Sequence, residues 1–219
     1  MIHNVRGIVL WARRAREADK VVGLFTREMG RLTARVTSAA RPVAKFVSLT
    51  EPFVESDMAI YLGPGQAWGK LVGGRMVQSF PSLRLGLERS TAASWICEIL
   101  YRLTPEEHHN ADEYGLLVEA LTALETASSF GLIRLAFVVR FLGLAGFGLD
   151  LRERWMGFCR EHPEWGTALL EAPLGNLGQL RWSSPALTNL EQLASGVIAD
   201  YLNRPLMVNR FRQMTGVQI

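Results

Sequence analysis

The residues that could do chemistry are, first, a set of cations crowded into the amino-terminal part of the chain. Residues 1–80 carry 12 Lys/Arg against 6 Asp/Glu, a balance of +6, while the remaining residues carry 12 against 15, a balance of −3. Arg13, Arg14, Arg16 and Lys20 fall in one connection, Arg31 and Arg35 on one face of a strand, Arg41 and Lys45 in a long loop, and Lys70 and Arg75 on a later strand. Side chains of this type neutralise phosphates and release condensed counterions, so they bind polynucleotides in a salt-dependent way. Trp11, Phe46 and Trp68 are interspersed among them. Aromatic rings offer stacking platforms for unpaired bases; Phe46, in the loop, is taken as the stacking residue, whereas Trp11 and Trp68 are expected in the core.

Catalytic and metal chemistry find little support. His108 and His109 stand in a polar connection, Cys159 and His162 supply only two ligand-like groups, and zinc needs four. Gly63-Pro64-Gly65 reads as a turn, Gly73-Gly74 as a bulge within a strand, and neither precedes the Lys-Ser/Thr of a phosphate-binding loop. No cofactor and no enzymatic activity are expected. Cys97 lies in a helical apolar pattern and reads as a small buried hydrophobe. The first apolar run, Gly7 to Trp11, is too short for a signal peptide, and the longest, Leu132 to Phe147, contains Arg134 and Arg140 and is too short to span a bilayer. A cytoplasmic protein without membrane contact is expected.

The elements that must position these groups divide by period. Val5–Trp11, Lys20–Thr26, a strand holding Leu32, Ala34 and Val36 on one face, Phe53–Tyr61 and Trp68–Ser79 show strand patterns, punctuated by Thr26-Arg27-Glu28-Met29-Gly30 and Gly63-Pro64-Gly65. Five short strands fit a small barrel of the OB type, here residues 1–80. From Pro81 the period becomes helical: Ala92, Ile96, Ile99 or Leu100, and Leu103 form one stripe, and Tyr114, Leu117, Leu121 and Leu124 a second. Asn110 with Glu113 resembles a capping box at the start of the second stripe. The third helix is the 132–147 run, ending at Gly146 or Gly148, and Ser184-Pro185 starts the last. Residues 149–183 show no steady period and read as mostly irregular. The expected class is therefore α+β, an amino-terminal five-stranded OB-fold β-barrel that binds nucleic acid (1–80) followed by an all-α domain (81–219).

Several segments, in order, resemble the RecO family of bacterial recombination mediators. They are Val5-Arg6-Gly7-Ile8-Val9-Leu10, Glu17-Ala18-Asp19-Lys20, the run Leu24 to Leu32, Glu51-Pro52-Phe53, Phe80-Pro81-Ser82-Leu83-Arg84, Arg140 to Phe147, and Arg204-Pro205-Leu206 with Arg210-Phe211. The resemblance implies the same two-domain fold, binding to single- and double-stranded DNA, annealing of complementary strands, and work with RecR to load RecA onto DNA coated by single-strand-binding protein, in the cytoplasm at the nucleoid. It also implies capture of that protein's acidic, phenylalanine-ended tail on the helical domain, where Arg134, Phe137 and Arg140 match by position and Val138 stands for the family's usual glutamate. Two departures stand out. Many members carry four cysteines after the central helix, and this chain has only Cys159 there, so zinc is not expected. The family's Lys-Gly-Ala-Arg loop reads Ser38-Ala39-Ala40-Arg41 here, with fewer cations. The alternative function is a protein-interaction adaptor whose barrel touches DNA only incidentally.

Overall fold

The structure is a computed structural model that describes residues 1–15, 19–37, 46–106, 108–146, 148–177, 184–202 and Leu206. The amino-terminal part is built from five strands, β1 (Ile2–Arg14), β2 (Lys20–Thr26), β3 (Gly30–Val36), β4 (Glu55–Tyr61) and β5 (Gly69–Gln78). β1 is long enough to serve two neighbours: its first half pairs antiparallel with β4 and its second half with β2, with a register shift between Val9 and Trp11. The sheet closes in the order β1-β2-β3-β5-β4, with β3 and β5 joined by a short parallel contact at Ala34↔Gly69 and Arg35↔Lys70. This is the five-stranded OB-type barrel that the strand count implies.

Alternation fills the interior. Val5, Val9, Val22, Leu24, Ala34, Val36, Met58, Ile60 and Leu71 make the barrel core, so the residues between them face outward. The β2–β3 hairpin turns through Gly30, whose φ of 65° is left-handed, and the Thr26 hydroxyl ties the turn by donating to the Gly30 carbonyl at 2.9 Å. Opposite Gly73 and Gly74 the β4–β5 register shifts, and Val72 is the extra residue of that bulge.

The chain divides into two compact units, residues 1–80 with 104–114 and residues 81–103 with 115–219. In the first unit, segment 104–114 covers part of the barrel's outer wall. Tyr114 stacks on buried Phe25 at 6.3 Å and donates its hydroxyl to Glu55 at 2.8 Å, and Arg31 bridges to Glu106. Asn110 caps the following helix by accepting from the Asp112 and Glu113 amides, at 2.9 and 3.4 Å. The reciprocal half of the box is absent, because the Glu113 carboxylate turns inward.

The second unit holds α1 (Leu87–Leu103), most of α2 (Ala111–Thr126), α3 (Gly131–Leu144), α4 (Gly148–Glu161), α5 (Pro163–Glu171), α6 (Leu174–Leu177) and α7 (Ser184–Tyr201). α3 is apolar almost all round and packs against α1, α4, α5, α6 and α7, as a central buried helix should. Cys97 is buried, which pushes its thiol up to about 12, in line with a core role. The expectation of an irregular 149–183 is overturned: α4, α5 and α6 occupy most of it, and residues 178–183 lie outside the described residues. The aromatic face that organises α4 is narrow. Trp155 stacks on Phe158, which meets the His162 ring one turn on, while dense charges and Gly157 dilute the pattern on the page. Pro163 then starts α5, where its missing N–H costs nothing. Among the described residues no helix is long and apolar enough to cross a membrane.

A Cβ at Gly30 would lie 1.8 Å from the His108 carbonyl oxygen, and an L side chain is strained at that φ. Gly30→Ala is expected to destabilise the protein by roughly 2–4 kcal/mol, read as a lower urea midpoint; an unchanged midpoint would show that segment 104–109 does not press on the turn.

Candidate nucleic-acid interface

Register brings one group of cations together. By register, Arg13 pairs with Val21, Val21 with Arg35, and Arg35 with Lys70, so a single row crosses β1, β2, β3 and β5, with its β2 member Val21 buried and its cations on the other three strands. Three strand spacings separate its ends, about 14 Å. The adjacent row is Trp11, Gly23 and Thr33. The Trp11 indole lies flat on Gly23, where a Cβ would come within 2.2 Å of its ring nitrogen, and the Arg13 guanidinium stands over the same ring at 5.4 Å. Trp11 therefore holds Arg13 in place rather than offering an open face. Trp68, one residue before β5, is 47% exposed, whereas Phe46 is half-buried and packs on the barrel core. The expected exposures of these two aromatics are reversed. Side-chain burial in a connection depends on which barrel end closes over it, and local sequence does not carry that.

Arg13, Arg14 and Lys70 are exposed, and none of the ion pairs among the described residues involves them. Four others of the expected set, Lys20, Arg31, Arg35 and Arg75, are matched by carboxylates. Arg35 grips Asp19 through Nε at 2.9 Å and Nη2 at 2.5 Å, and Lys20 donates to Glu51 at 2.9 Å and Thr50 at 3.3 Å. Arg31, directly across from Phe25, meets Glu106 at 3.4 Å under segment 104–114. Arg75 lies on the β4–β5 wall and binds Asp57 at 2.9 Å, beside Arg6, which holds the other Asp57 oxygen at 2.9 Å. The Arg6 hydrogen bond, assisted by Arg75, holds the Asp57 carboxyl below the usual carboxylate range. The described cations thus do not form one continuous surface, because register places Arg31 under segment 104–114 and Arg75 beside Arg6 and Asp57. Arg16, Arg41 and Lys45 lie outside the described residues.

In the helical unit, Phe137 is fully buried, stacks on Phe141 at 5.7 Å, and has no surface to offer a ligand's ring. The Arg134 side chain is 4% exposed, stands over Trp95 at 4.7 Å and reaches Glu191 at 3.4 Å. Arg140 donates to the Leu169 carbonyl at 2.8 Å and to that of Ala172, closing the end of α5, with Glu119 at 3.9 Å. Burial lowers its pKa from the ordinary guanidinium value. These three residues hold helices together in this structure. No group of three or more His, Cys, Asp or Glu able to hold a metal ion occurs among the described residues.

Sequence reasoning missed Trp68, the pairing carboxylates, and Glu113. The Glu113 side chain is 1% exposed, both its oxygens lack a hydrogen bond, and His108 Nε2 stands 3.8 Å away. Burial raises its pKa, against the opposing pull of His108. The folded state thus favours the neutral acid, and its stabilising share is present below the unfolded value near 4.5 and lost as pH rises through the folded one. Glu113→Gln, neutral at every pH, is expected to raise the melting temperature at pH 8 by about 2–4 °C and to lose that advantage near pH 4; an advantage independent of pH would contradict the buried charge.

Comparison with known proteins covers both units. The family model described as "Recombination protein O N terminal" matches residues 1–80, and "Recombination protein O C terminal" matches residues 84–163. The chain is 31% identical over 210 residues to a "DNA repair protein RecO" of Symbiobacterium thermophilum, covering 90% of this chain and 81% of that protein. A Desulforamulus reducens protein of the same name is 26% identical over 242 residues, covering 96% and 93%. The match to the Clostridium perfringens protein, 31% over 144 residues, spans 58% of that relative's length, and a Dehalococcoides mccartyi relative is likewise matched over 58% of its length.

Proposed function

We propose that this chain, which belongs to the RecO family, serves DNA repair as a binding protein rather than a catalyst, and that its barrel holds DNA across the Arg13–Arg35–Lys70 row. The observation that carries this reading is that row, flanked by exposed Arg14 and Trp68. OB-folds bind oligonucleotides on the face of strands 2 and 3 between the loop after strand 1 and the loop before strand 5, and the row spans that interval. Arg13 and Lys70 are unmatched cations at its two ends. Arg35 joins them because its pair with Asp19 is half exposed, and an exposed pair of this kind contributes at most about 1 kcal/mol. A phosphate can therefore compete for the guanidinium.

Binding of single and double strands, annealing, and RecA loading with RecR on DNA coated by single-strand-binding protein follow from this reading together with the family. Annealing needs no covalent step: cations lower the repulsion between two strands and pairing proceeds. Such a protein works in the cytoplasm, at the nucleoid. Arg16, Arg41 and Lys45 would extend the same track through the two loops that hold them. A second reading, the adaptor, is favoured by one specific observation. Lys20, Arg31, Arg35 and Arg75 are each matched to a carboxylate, which lowers the field available to phosphates.

Titration of a labelled single-stranded oligonucleotide against salt separates the two. The double variant Arg13→Glu, Lys70→Glu is expected to weaken binding more than tenfold at low salt and to flatten the log–log salt slope by about 1.4, two phosphate contacts at roughly 0.7 each. Trp68→Ala should cost roughly 1–3 kcal/mol with the salt slope preserved. Unchanged affinity and slope in the double variant, with an unaltered melting curve, would leave the adaptor.

A further inference from the structure

The wall of β1, β4 and β5 carries a second surface, which meets the nucleic-acid row only at Lys70. Its outward rows, read from register, are Ile2–Tyr61–Lys70, then Asn4–Ala59–Gly73, then Arg6–Asp57–Arg75. Ile2, Tyr61 and bulged Val72 are exposed at one end, and Met76 is exposed further along β5. The middle row has little side-chain bulk. The far end is ionic and is flanked by the β2–β3 turn, where exposed Arg27 donates its amide to the Arg6 carbonyl at 2.8 Å and Glu28 accepts the Arg6 amide at 2.9 Å. Asn4, Arg6, Asp57, Ala59, Gly73 and Arg75 of the wall, with Arg27 and Glu28 of the turn, line an open groove of about 690 Å³, and the apolar Ile2–Tyr61–Val72 end lies beyond it.

Charge in the groove is uneven. Three guanidinium groups, Arg6, Arg27 and Arg75, face two carboxylates, Asp57 and Glu28. Both Asp57 oxygens are already engaged, by Arg6 and Arg75. Arg27 has no ion pair among the described residues, and the Arg75 side chain is 80% exposed. Arginine is suited to bidentate capture of a carboxylate, and arginine and methionine beside apolar and aromatic groups are the composition of protein interfaces. A polynucleotide fits less well, since Asp57 and Glu28 would face its phosphates and no aromatic ring lies on the groove's floor.

We propose that this groove docks an extended acidic segment of a protein partner, its carboxylates on Arg27 and Arg75 and its small or apolar side chains over Ala59 and Gly73. The bare middle row admits side chains of the incoming segment, and the period of two along a strand would set carboxylates to one side and apolar groups to the other. The Ile2–Tyr61–Val72 end supplies apolar contact where the charged end stops. This surface goes beyond the DNA-binding reading and stands independently of it.

The test uses the full chain and labelled peptides of about eight residues, a usual strand length, one alternating Asp and Val and one alternating Lys and Val. Fluorescence anisotropy is expected to show binding of the acidic peptide and not of the basic one. Arg27→Glu with Arg75→Glu should weaken it at least about tenfold. Gly73→Leu should do the same without changing charge; a Cβ there meets only Ala59, at 3.6 Å, so the variant has room to fold. Arg13→Glu with Arg14→Glu, two exposed residues that do not line the groove, should leave peptide binding intact. Melting curves establish that each variant is folded. The proposal is overturned if the acidic peptide does not bind, if both charge-reversed pairs lose it equally, or if the Arg27/Arg75 pair loses oligonucleotide binding instead, which would make the groove a polynucleotide surface.

Discussion

β1 is the strand on which the barrel depends. Its thirteen residues pair with β4 at one end and β2 at the other, and the bulge between Val9 and Trp11 lets one strand turn from the first partner to the second. Closure then fixes every register around the ring, because a slip of one residue would send the Val22, Leu24, Ala34 and Val36 side chains to solvent. The placement of each outward residue follows from this. Arg13, Arg35 and Lys70 come from three strands distant in sequence, and they form a row only because the interior forces one register.

The same constraint explains why the basic character of the amino-terminal part is not spread evenly. Alternation puts Arg31 on the outward face but four residues along from Arg35, under segment 104–114, where Glu106 meets it. Arg75 lies further along β5 than Lys70, past the bulge at Val72, where it shares Asp57 with Arg6. Among the described residues the basic side chains include one row with unmatched ends, one covered arginine, and one arginine-rich groove with carboxylates of its own. Cation count alone overstates the area open to phosphates, and the division allows one small barrel to present two chemically different surfaces.

Much of the fold could be read from the residues because strand and helix periods are local. The β2–β3 hairpin followed from Thr26 to Gly30, and the central helix from an apolar run too dense to be anything but buried. Residues 149–183 resisted because α5 and α6 are short, and because α4 is interrupted by Gly157 and densely charged, with its order carried by a narrow Trp155–Phe158 face. At the candidate site, exposure of Trp68 and burial of Phe46 depend on how connections fold over the barrel ends. The pairing of Arg35 with Asp19 or Arg75 with Asp57 depends on register and rotamer, not on spacing. Phe137 shows the same limit from the other side: its position suits a ligand pocket by resemblance, yet α3 is enclosed by five neighbouring helices and the ring is consumed in packing.

The central claim is that DNA lies across the row from Arg13 to Lys70. Hydrogen–deuterium exchange of the full chain with and without a single-stranded oligonucleotide tests it most directly. Protection is predicted in the peptides that contain residues 11–14, 33–35 and 68–70. Protection confined to residues 4–6, 57–59 and 73–75, or to the helical unit, would contradict it.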